Sequence, residues 1–263
     1  NLPLDTIEAL AWGSNLDWGF NKHPPMSAFF AEVFYQIFGP QDWAYYLLSQ
    51  IFVIISFYYV FKFSKDIFNN NILSLISVLI IESIYFYNFT SPEFNVNICQ
   101  LPFWSLTVYY SWKIYSDKEI KFFDCFLVGL FAAFGFLSKY LFIYLLVSID
   151  FLFIYLIFFI KERKFDFKYL ITIEVFIIIL VPHLIWLNNN DFITVTYGLA
   201  RTGLEEARLM DHIKFPLLFL GKQVGILIPL FILIMLLVKK IYFKINIKDK
   251  KLLFLITINI VPI

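Results

Sequence analysis

Long apolar runs recur along this chain, and polar residues fall in the short segments between them. Of the residues, 60% are hydrophobic and 21% are aromatic, well above the share in a soluble domain. The hydrocarbon core of a bilayer, about 30 Å thick, requires about 20 apolar residues per helix. The sequence therefore predicts an all-α polytopic membrane helix bundle with about eight spans. They cover roughly 43–61, 71–90, 97–115, 122–138, 141–160, 169–187 and 215–238, with a last span from about 252.

Basic residues alternate along the chain in a way that predicts its topology. Most of the 21 Lys and Arg fall in four connections, each of which follows an odd-numbered span. The positive-inside rule places these connections in the cytoplasm. The first forty residues, the turns at 91–96 and 139–140 and the loop at 188–214 are then expected on the other side. The basic residues are Lys62 and Lys65; Lys113, Lys118 and Lys121; Lys161, Arg163, Lys164 and Lys168; and Lys239, Lys240, Lys244, Lys248, Lys250 and Lys251.

The two ends of the chain predict a fragment. Residue 1 is Asn rather than Met, and the last residue, Ile263, falls inside an apolar run. We therefore expect residues 1–263 to be part of one transmembrane domain, with at least one span missing before Asn1. Residues 1–40 are the expected catalytic loop, and residues 41–263 hold the spans, of which the last is incomplete.

Several functional classes are not supported by the sequence. Cys99 and Cys125 are predicted near opposite faces of the membrane, too far apart for a disulfide. No cysteine or histidine spacing typical of a zinc site is present. The sequence also lacks a glycine-rich phosphate loop and a solvated basic patch suited to nucleic acid. We therefore expect no nucleic-acid partner.

The first forty residues predict two short interfacial helices. Apolar residues recur at helical spacing over residues 4–17, and Asp5 and Glu8 share one face of that helix. Pro24-Pro25 favours a second helix that ends at Gly39. From this pattern alone, an ordinary outer loop in which Asp5 caps a helix is the simpler interpretation. The predicted buried side of the second helix carries Met26, Phe29, Phe30, Val33, Phe34 and Ile37.

Two further features leave alternatives open. Lys139 lies at the only polar break in residues 122–160, on the side that is otherwise poor in basic residues. It either extends its ammonium to the membrane surface or binds a phosphate. Glu82, Asp150 and Glu174 lie inside predicted spans, which makes each a candidate for function. They either pair with polar partners, stay protonated or line a proton path, and no spacing selects among these roles.

The outer residues occur in an order that resembles a known family. The chain is similar to the bacterial polyprenyl-phosphate-sugar-dependent glycosyltransferases of the GT-C superfamily, which are related to protein O-mannosyltransferases. Aminoarabinose and galacturonosyl transferases that modify lipid A or lipopolysaccharide core belong to the same group. The resemblance rests on Asp5 with Glu8, Leu16-Asp17-Trp18-Gly19-Phe20, Lys22-His23-Pro24-Pro25, Phe38-Gly39, Ser91-Pro92-Glu93, Leu137-Ser138-Lys139-Tyr140 and Pro182-His183 with Trp186 and Asn188.

The resemblance implies a set of catalytic carboxylates. Asp5 matches the first-loop aspartate that is the expected general base, and Glu8 and Glu93 are the other candidates. Two departures from the family pattern bear on metal use. The common Asp-Glu pair is Asp5-Thr6 here, and Glu93 replaces the usual aspartate. A divalent metal is therefore left open, with Glu8, His23 and Glu93 as candidate ligands, and no other cofactor is implied.

The resemblance also implies residues that bind substrate. Lys22 and His23 fall where the family places charged residues near the donor phosphate, before two prolines. Lys139, with Tyr140 beside it, matches a lysine associated with the lipid phosphate. Arg201 lies in a loop that supplies an arginine in some relatives.

These residues together imply an inverting glycosyltransferase. It would move a sugar from a polyprenyl-phosphate donor to a lipid such as lipid A, a glycan or a protein, at the periplasmic face of a bacterial inner membrane. Two other classes stay open. A secondary transporter would use the intramembrane acids but would show an inverted internal repeat, which the sequence lacks by inspection. A non-catalytic membrane scaffold would not need a carboxylate and cations to converge.

Overall fold

A computed structural model describes residues 1–201, 210–237 and 249–261 of the chain. Within these ranges the protein forms α-helices, with short 3₁₀ and π-helical turns, and no β-strand. The predicted all-α helix bundle is confirmed. The helices are α1 Leu4–Gly13, α2 Met26–Phe38, α3 Asp42–Phe68, α4 Asn71–Glu82, α5 Val96–Ser116, α6 Phe122–Ser138, α7 Ile143–Ile154, α8 Lys168–Asn189, α9 Ile193–Arg201, α10 Asp211–Leu237 and α11 Lys250–Ile260.

Four described helical stretches are long and apolar enough to cross a membrane: Asp42–Phe68, Tyr140–Phe159, Lys168–Asn189 and Asp211–Ile232. The helices α4 and α6 are also apolar but have only 12 and 17 residues. The span predicted over 71–90 is not one regular helix, because α4 ends at Glu82 and a π-helical turn follows at 86–90. The total of eight spans stays a prediction.

Connections that were predicted to share a side of the membrane meet in the structure. At one end of the bundle, Lys113 pairs with Asp66 at 2.8 Å. At the same end, Arg163 donates hydrogen bonds of 2.6 Å to the carbonyls of Tyr115 and Asp117. The Tyr115 hydroxyl donates to the carbonyl of Lys250 at 2.9 Å, which ties α11 to α5. Of the basic residues predicted at this end, Lys239, Lys240, Lys244 and Lys248 lie outside the described residues.

The first forty residues form the two predicted short helices, but the buried side of α2 differs from the prediction. Val33 and Ile37 are 51% and 64% exposed, whereas Ala28 and Glu32 are buried. The physical reason is a close approach of α1, since a Cβ atom at Gly13 would lie 2.7 Å from the Ala28 carbonyl. Small side chains therefore form the contact. The helix α2 ends at Gly39, whose φ of 68° is costly for residues with a side chain.

An aromatic cluster fixes α2 to the transmembrane bundle. The ring of Phe30 lies 4.8 Å from Phe52 in α3 and 6.0 Å from Phe103 in α5, measured between centroids. Phe103 also packs edge-on against Phe134 in α6 at 5.6 Å. Aromatic pairs contribute about 0.5–1.5 kcal/mol each beyond the burial of their area. These contacts hold α2 against α3 and α5, and α5 in turn against α6.

The three acids predicted inside spans face outward from the described bundle. Glu82 ends α4, Asp150 lies in α7 and Glu174 lies in α8, and all three are exposed. None of them forms an ion pair among the described residues. Neither described cavity is lined by any of the three. Their role therefore stays open, and a shared proton path is not supported by their placement.

The contact between α6 and α8 predicts a strong effect of adding a methyl group at Gly129. A Cβ atom there would lie 2.5 Å from the backbone oxygen of Thr172. We expect Gly129→Ala to destabilise the fold by about 1–3 kcal/mol, the usual cost of overpacking, in thermal unfolding of the detergent-solubilised protein. The control is Gly221→Ala in α10, where a methyl group meets no described atom within 4 Å. Equal unfolding temperatures for the two variants would contradict the α6–α8 packing.

Candidate functional site

The amino-terminal end of α1 rests on the turn that precedes α5. The Thr6 hydroxyl is buried and donates to the carbonyl of Phe94 at 3.0 Å, which fixes the register of the two segments. Glu93 accepts a hydrogen bond from the backbone of Asp5. Burial and the nearby Asp5 carboxylate nevertheless raise the pKa of Glu93 above its usual range. Two of the three acids predicted for this site, Asp5 and Glu93, therefore lie together.

Glu8 and Lys22 form an ion pair within the same cluster. The Lys22 ammonium donates to Glu8 Oε1, and both side chains are about one-third exposed. This hydrogen bond raises the pKa of Lys22, and the Asp5 carboxylate adds to the effect. Because Glu8 and Lys22 neutralise one another, each has less charge to offer a substrate. Asp5 is exposed and forms no ion pair among the described residues.

A small pocket lies between α1, the start of α2 and the start of α5. Its lining includes Asp5, Glu8, His23, Ser27 and Asn95. Burial lowers the pKa of His23, and the charge of Lys139 lowers it further. A histidine with a pKa below its usual 6.5 is neutral at pH 7. His23 therefore contributes a hydrogen-bonding ring, rather than a positive charge, to this pocket.

Lys139 lies beside the pocket, in the turn between α6 and the helix that follows. Its ammonium donates to the side-chain oxygen of Asn97 at 2.6 Å, and it forms no ion pair with any described carboxylate. Asn97 is held in place because Asn95 caps the amino terminus of α5. Burial and the nearby Arg201 both lower the pKa of Lys139. A half-buried cation next to a second cation is an environment that an anion would stabilise.

The turn at residues 17–20 is fixed to the ends of α8 and α9. His183 is completely buried, and its Nδ1 lies 2.5 Å from the carbonyl of Trp18. A carbonyl only accepts, so Nδ1 donates and the neutral ring accepts at Nε2 from the Tyr140 hydroxyl at 2.7 Å. Thr194 donates to the carbonyl of Phe20 at 2.5 Å. These bonds join the first loop to the segment that carries Lys139.

Close packing reinforces the same junction. A Cβ atom at Gly19 would lie 2.3 Å from the Trp186 ring, so only glycine permits this contact. The ring of Trp12 stacks on Phe20 with centroids 5.3 Å apart and also contacts His23 edge-on. The turn at residues 17–20 therefore docks on Trp186 through Gly19. Its Phe20 ring packs against Trp12, which lines the small pocket.

A family model matches residues 22–186, which is more than half of the chain. The chain belongs to the family described as dolichyl-phosphate-mannose-protein mannosyltransferase. This family contains polyprenyl-phosphate-sugar-dependent glycosyltransferases of the GT-C type. No curated protein and no solved structure matches the chain significantly.

The matched segment of this mannosyltransferase-family chain begins at Lys22 and ends at Trp186. It includes Lys22, His23, Glu93, Lys139 and Tyr140, whereas Asp5, Glu8 and Arg201 lie outside it. Contacts in the structure nevertheless bring Asp5 and Glu8 to the matched residues. Arg201 ends α9 and is exposed, and its charge reaches Lys139. The chemical role of each of these residues stays a prediction.

The residues suggested as metal ligands do not form a ligand cluster. Among the described residues, no group of three or more His, Cys, Asp or Glu side chains is arranged to hold a metal ion. Glu8 is occupied by its ion pair with Lys22. The two cysteines, Cys99 and Cys125, are free and buried.

A larger groove on the other side of α1 holds none of the predicted site residues. It has a volume of about 590 Å³, and Glu32, Tyr35, Asp42 and Tyr45 line part of it. Its size alone gives no reason to place the transfer reaction there, because no described lysine, arginine or histidine lines it. The smaller pocket has both the free carboxylate and the nearby cations.

Some residues of this site gave no signal in the sequence reading. Asn95 falls in the turn predicted at 91–96 and Asn97 at the start of the span predicted over 97–115. An asparagine before a helix is a typical cap, so Asn95 could have been recognised as one. Ser27 and Thr194 have no distinctive spacing and depend on tertiary contacts. The hydroxyl of Tyr140 bonds to His183, and the predicted role of Tyr140 in binding substrate stays a prediction.

Loss of the Tyr140 hydroxyl is expected to weaken the junction between the first loop and α8. Tyr140→Phe leaves buried Nε2 of His183 without its partner, which should cost about 1–3 kcal/mol of stability. Thermal unfolding in detergent measures this effect, and Tyr144→Phe, at a site that is 52% exposed, is the control. Lower donor affinity at unchanged stability would assign the hydroxyl to the substrate and contradict this structural role.

Proposed function

We propose that this chain carries the donor site of an inverting glycosyltransferase that uses a polyprenyl-phosphate-linked sugar. Family membership supports the reaction class. The observation that carries the donor assignment is Lys139, a half-buried cation without a counter-charge among the described residues. Taking an ammonium out of water is costly unless an anion compensates it. A donor phosphate would supply that negative charge during turnover.

The leaving group explains why cations are needed. As the bond between the anomeric carbon and the phosphate oxygen breaks, the electron pair stays with the phosphate. Lys139 and, through its longer-range charge, Arg201 would stabilise this developing negative charge. Asn97 holds the Lys139 ammonium in place before the reaction, which lowers the cost of reorganisation. The prenyl tail would remain in the lipid while the phosphate lies at the membrane surface.

Asp5 is the proposed general base. The acceptor hydroxyl attacks the anomeric carbon and transfers its proton to Asp5, so one bond forms as the bond to phosphate breaks. A single displacement of this kind inverts the anomeric configuration and requires one basic carboxylate. Glu8 is neutralised by Lys22, and the raised pKa of Glu93 indicates an unfavourable site for a second charge. Asp5 is therefore the carboxylate best suited to accept the proton.

The acceptor and the orientation belong to the same proposal. We propose an acceptor hydroxyl on a lipid such as lipid A, a glycan or a protein. The positive-inside pattern supports a periplasmic site in a bacterial inner membrane. The outward placement of Glu82, Asp150 and Glu174 gives no support to a transporter. The presence of Asp5 and Lys139 around His23, with Arg201 near Lys139, favours a catalytic site over an inert scaffold.

Removal of the proposed base should abolish most transfer. Asp5→Asn keeps the shape of the side chain but not its basicity, and we expect sugar transfer to fall about 10²–10⁴-fold. Donor binding should change little, because Asp5 does not carry the phosphate. The measurement is transfer of radiolabelled sugar from polyprenyl-phosphate donor in proteoliposomes. Asp17→Asn, at an exposed acid of the same loop, is the control, and wild-type turnover in Asp5→Asn would eliminate the assignment.

Removal of the unpaired cation should weaken binding of the donor phosphate. Lys139→Met keeps the apolar stem, and loss of a charged hydrogen bond of about 1.5–3 kcal/mol predicts a 10- to 150-fold lower affinity. Isothermal titration with bare polyprenyl phosphate in detergent measures the change. Lys118→Met, at an exposed lysine at the opposite end of the bundle, should bind as the wild type does. Unchanged affinity in a folded Lys139→Met variant would refute the phosphate role.

A further inference from the structure

Ser27 has a buried hydroxyl that no described residue satisfies. The residue is 1% exposed, lies in the first turn of α2 and lines the pocket beside Asp5 and Glu8. A buried hydroxyl without a partner costs about 1–3 kcal/mol, so such groups generally have a partner when the protein is at work. The pocket is the place from which that partner can come.

The backbone at the same point adds further donors. The first N–H groups of α2 have no intrahelical acceptor, as at the start of any helix. Pro25, which precedes α2, provides no side-chain cap for them. Met26, Ser27 and Ala28 are all buried, which limits access of bulk water to these groups. An oxygen atom that enters the pocket would meet both the Ser27 hydroxyl and the positive end of the helix dipole.

The charges in the pocket decide which part of the donor this oxygen belongs to. Asp5 and Glu8 line the pocket, whereas no described lysine or arginine does. The Asp5 carboxylate, which has no ion-pair partner among the described residues, disfavours a phosphate there. Lys139 lies outside the lining and is the cation proposed to bind the phosphate. Carboxylates, a hydroxyl and an amide are side chains that hydrogen-bond sugar hydroxyls. The carbohydrate end of the donor is therefore the better match.

The size of the pocket narrows the match to one functional group. Its volume is about 10 Å³, which holds a group the size of one water molecule. A whole sugar ring does not fit, but one hydroxyl projecting from the ring does. Glu8 and His23 complete the lining around this position.

We propose that Ser27 and the start of α2 form a subsite for one hydroxyl of the transferred sugar, so that Ser27 helps to determine which sugar is used. This inference rests on the proposed donor function of the site. The sugar hydroxyl accepts from or donates to the Ser27 hydroxyl, and the ring is thereby oriented with its anomeric carbon towards Asp5 and its phosphate towards Lys139. Ser27 acts by positioning and takes no proton in the reaction.

The test compares sugar-bearing and bare lipids on matched variants. Affinities are measured by isothermal titration for bare polyprenyl phosphate and for polyprenyl phosphates that carry mannose, 4-amino-arabinose or galacturonate. The wild type should bind at least one sugar-bearing lipid more tightly than the bare lipid. Ser27→Ala should reduce that gain about three- to tenfold, the value of one hydrogen bond, and leave bare-lipid affinity unchanged. Ser111→Ala, at another buried and unpartnered serine in α5, should change neither value.

Each other outcome overturns the subsite. The subsite is refuted if Ser27→Ala keeps the full gain in affinity for sugar-bearing over bare lipid, or if it loses the same affinity for bare lipid. It is also refuted if the wild type binds no sugar-bearing lipid more tightly than the bare lipid. If Ser27→Ala lowers thermal stability, monodeoxy sugars on the wild type replace the variant, and one of them should lose the same three- to tenfold. If no single deoxy sugar loses affinity, the subsite is refuted. These failures leave the Asp5→Asn and Lys139→Met results intact, and so are distinct from failure of the proposed function.

Discussion

The buried His183 holds together segments that are far apart in the sequence. Its two ring nitrogens contact the carbonyl of Trp18 and the hydroxyl of Tyr140. A buried imidazole needs both partners, because an unsatisfied nitrogen in a low-dielectric interior is costly. The first loop, which carries Asp5, and the turn that carries Lys139 are consequently fixed relative to each other.

Ion pairing then determines which charged side chains of the site can interact with a substrate. Glu8 and Lys22 pair with each other, whereas Asp5 and Lys139 have no ion-pair partner among the described residues. The proposed transfer would use these two groups, Asp5 for the proton and Lys139 for the leaving group. The ion pair and the neutral His23 ring surround them without competing for the same atoms. The arrangement suits a donor whose sugar and phosphate ends have opposite electrostatic requirements.

Much of the fold was predictable because a membrane restricts the choice of backbone structure. Apolar runs had to become helices, and the basic connections correctly grouped the loops that meet at each end. Asp5, Glu8, Lys22, His23 and Glu93 were recognised as one cluster from their order and from the family resemblance. The predicted buried side of α2 was wrong at Val33 and Ile37, because spacing could not reveal that Gly13 brings α1 directly onto Ala28.

The sequence by itself determined the class of fold, the segments that lie together and the types of charge present in them. Only the tertiary structure decided which charges are neutralised, that Tyr140 bonds to His183, and that the Ser27 hydroxyl lacks a partner among the described residues. The physical reason is range. Hydropathy and charge bias act on whole segments and are visible in composition. A hydrogen bond is instead sensitive to differences in distance of a few tenths of an ångström, here between residues separated by up to 184 positions.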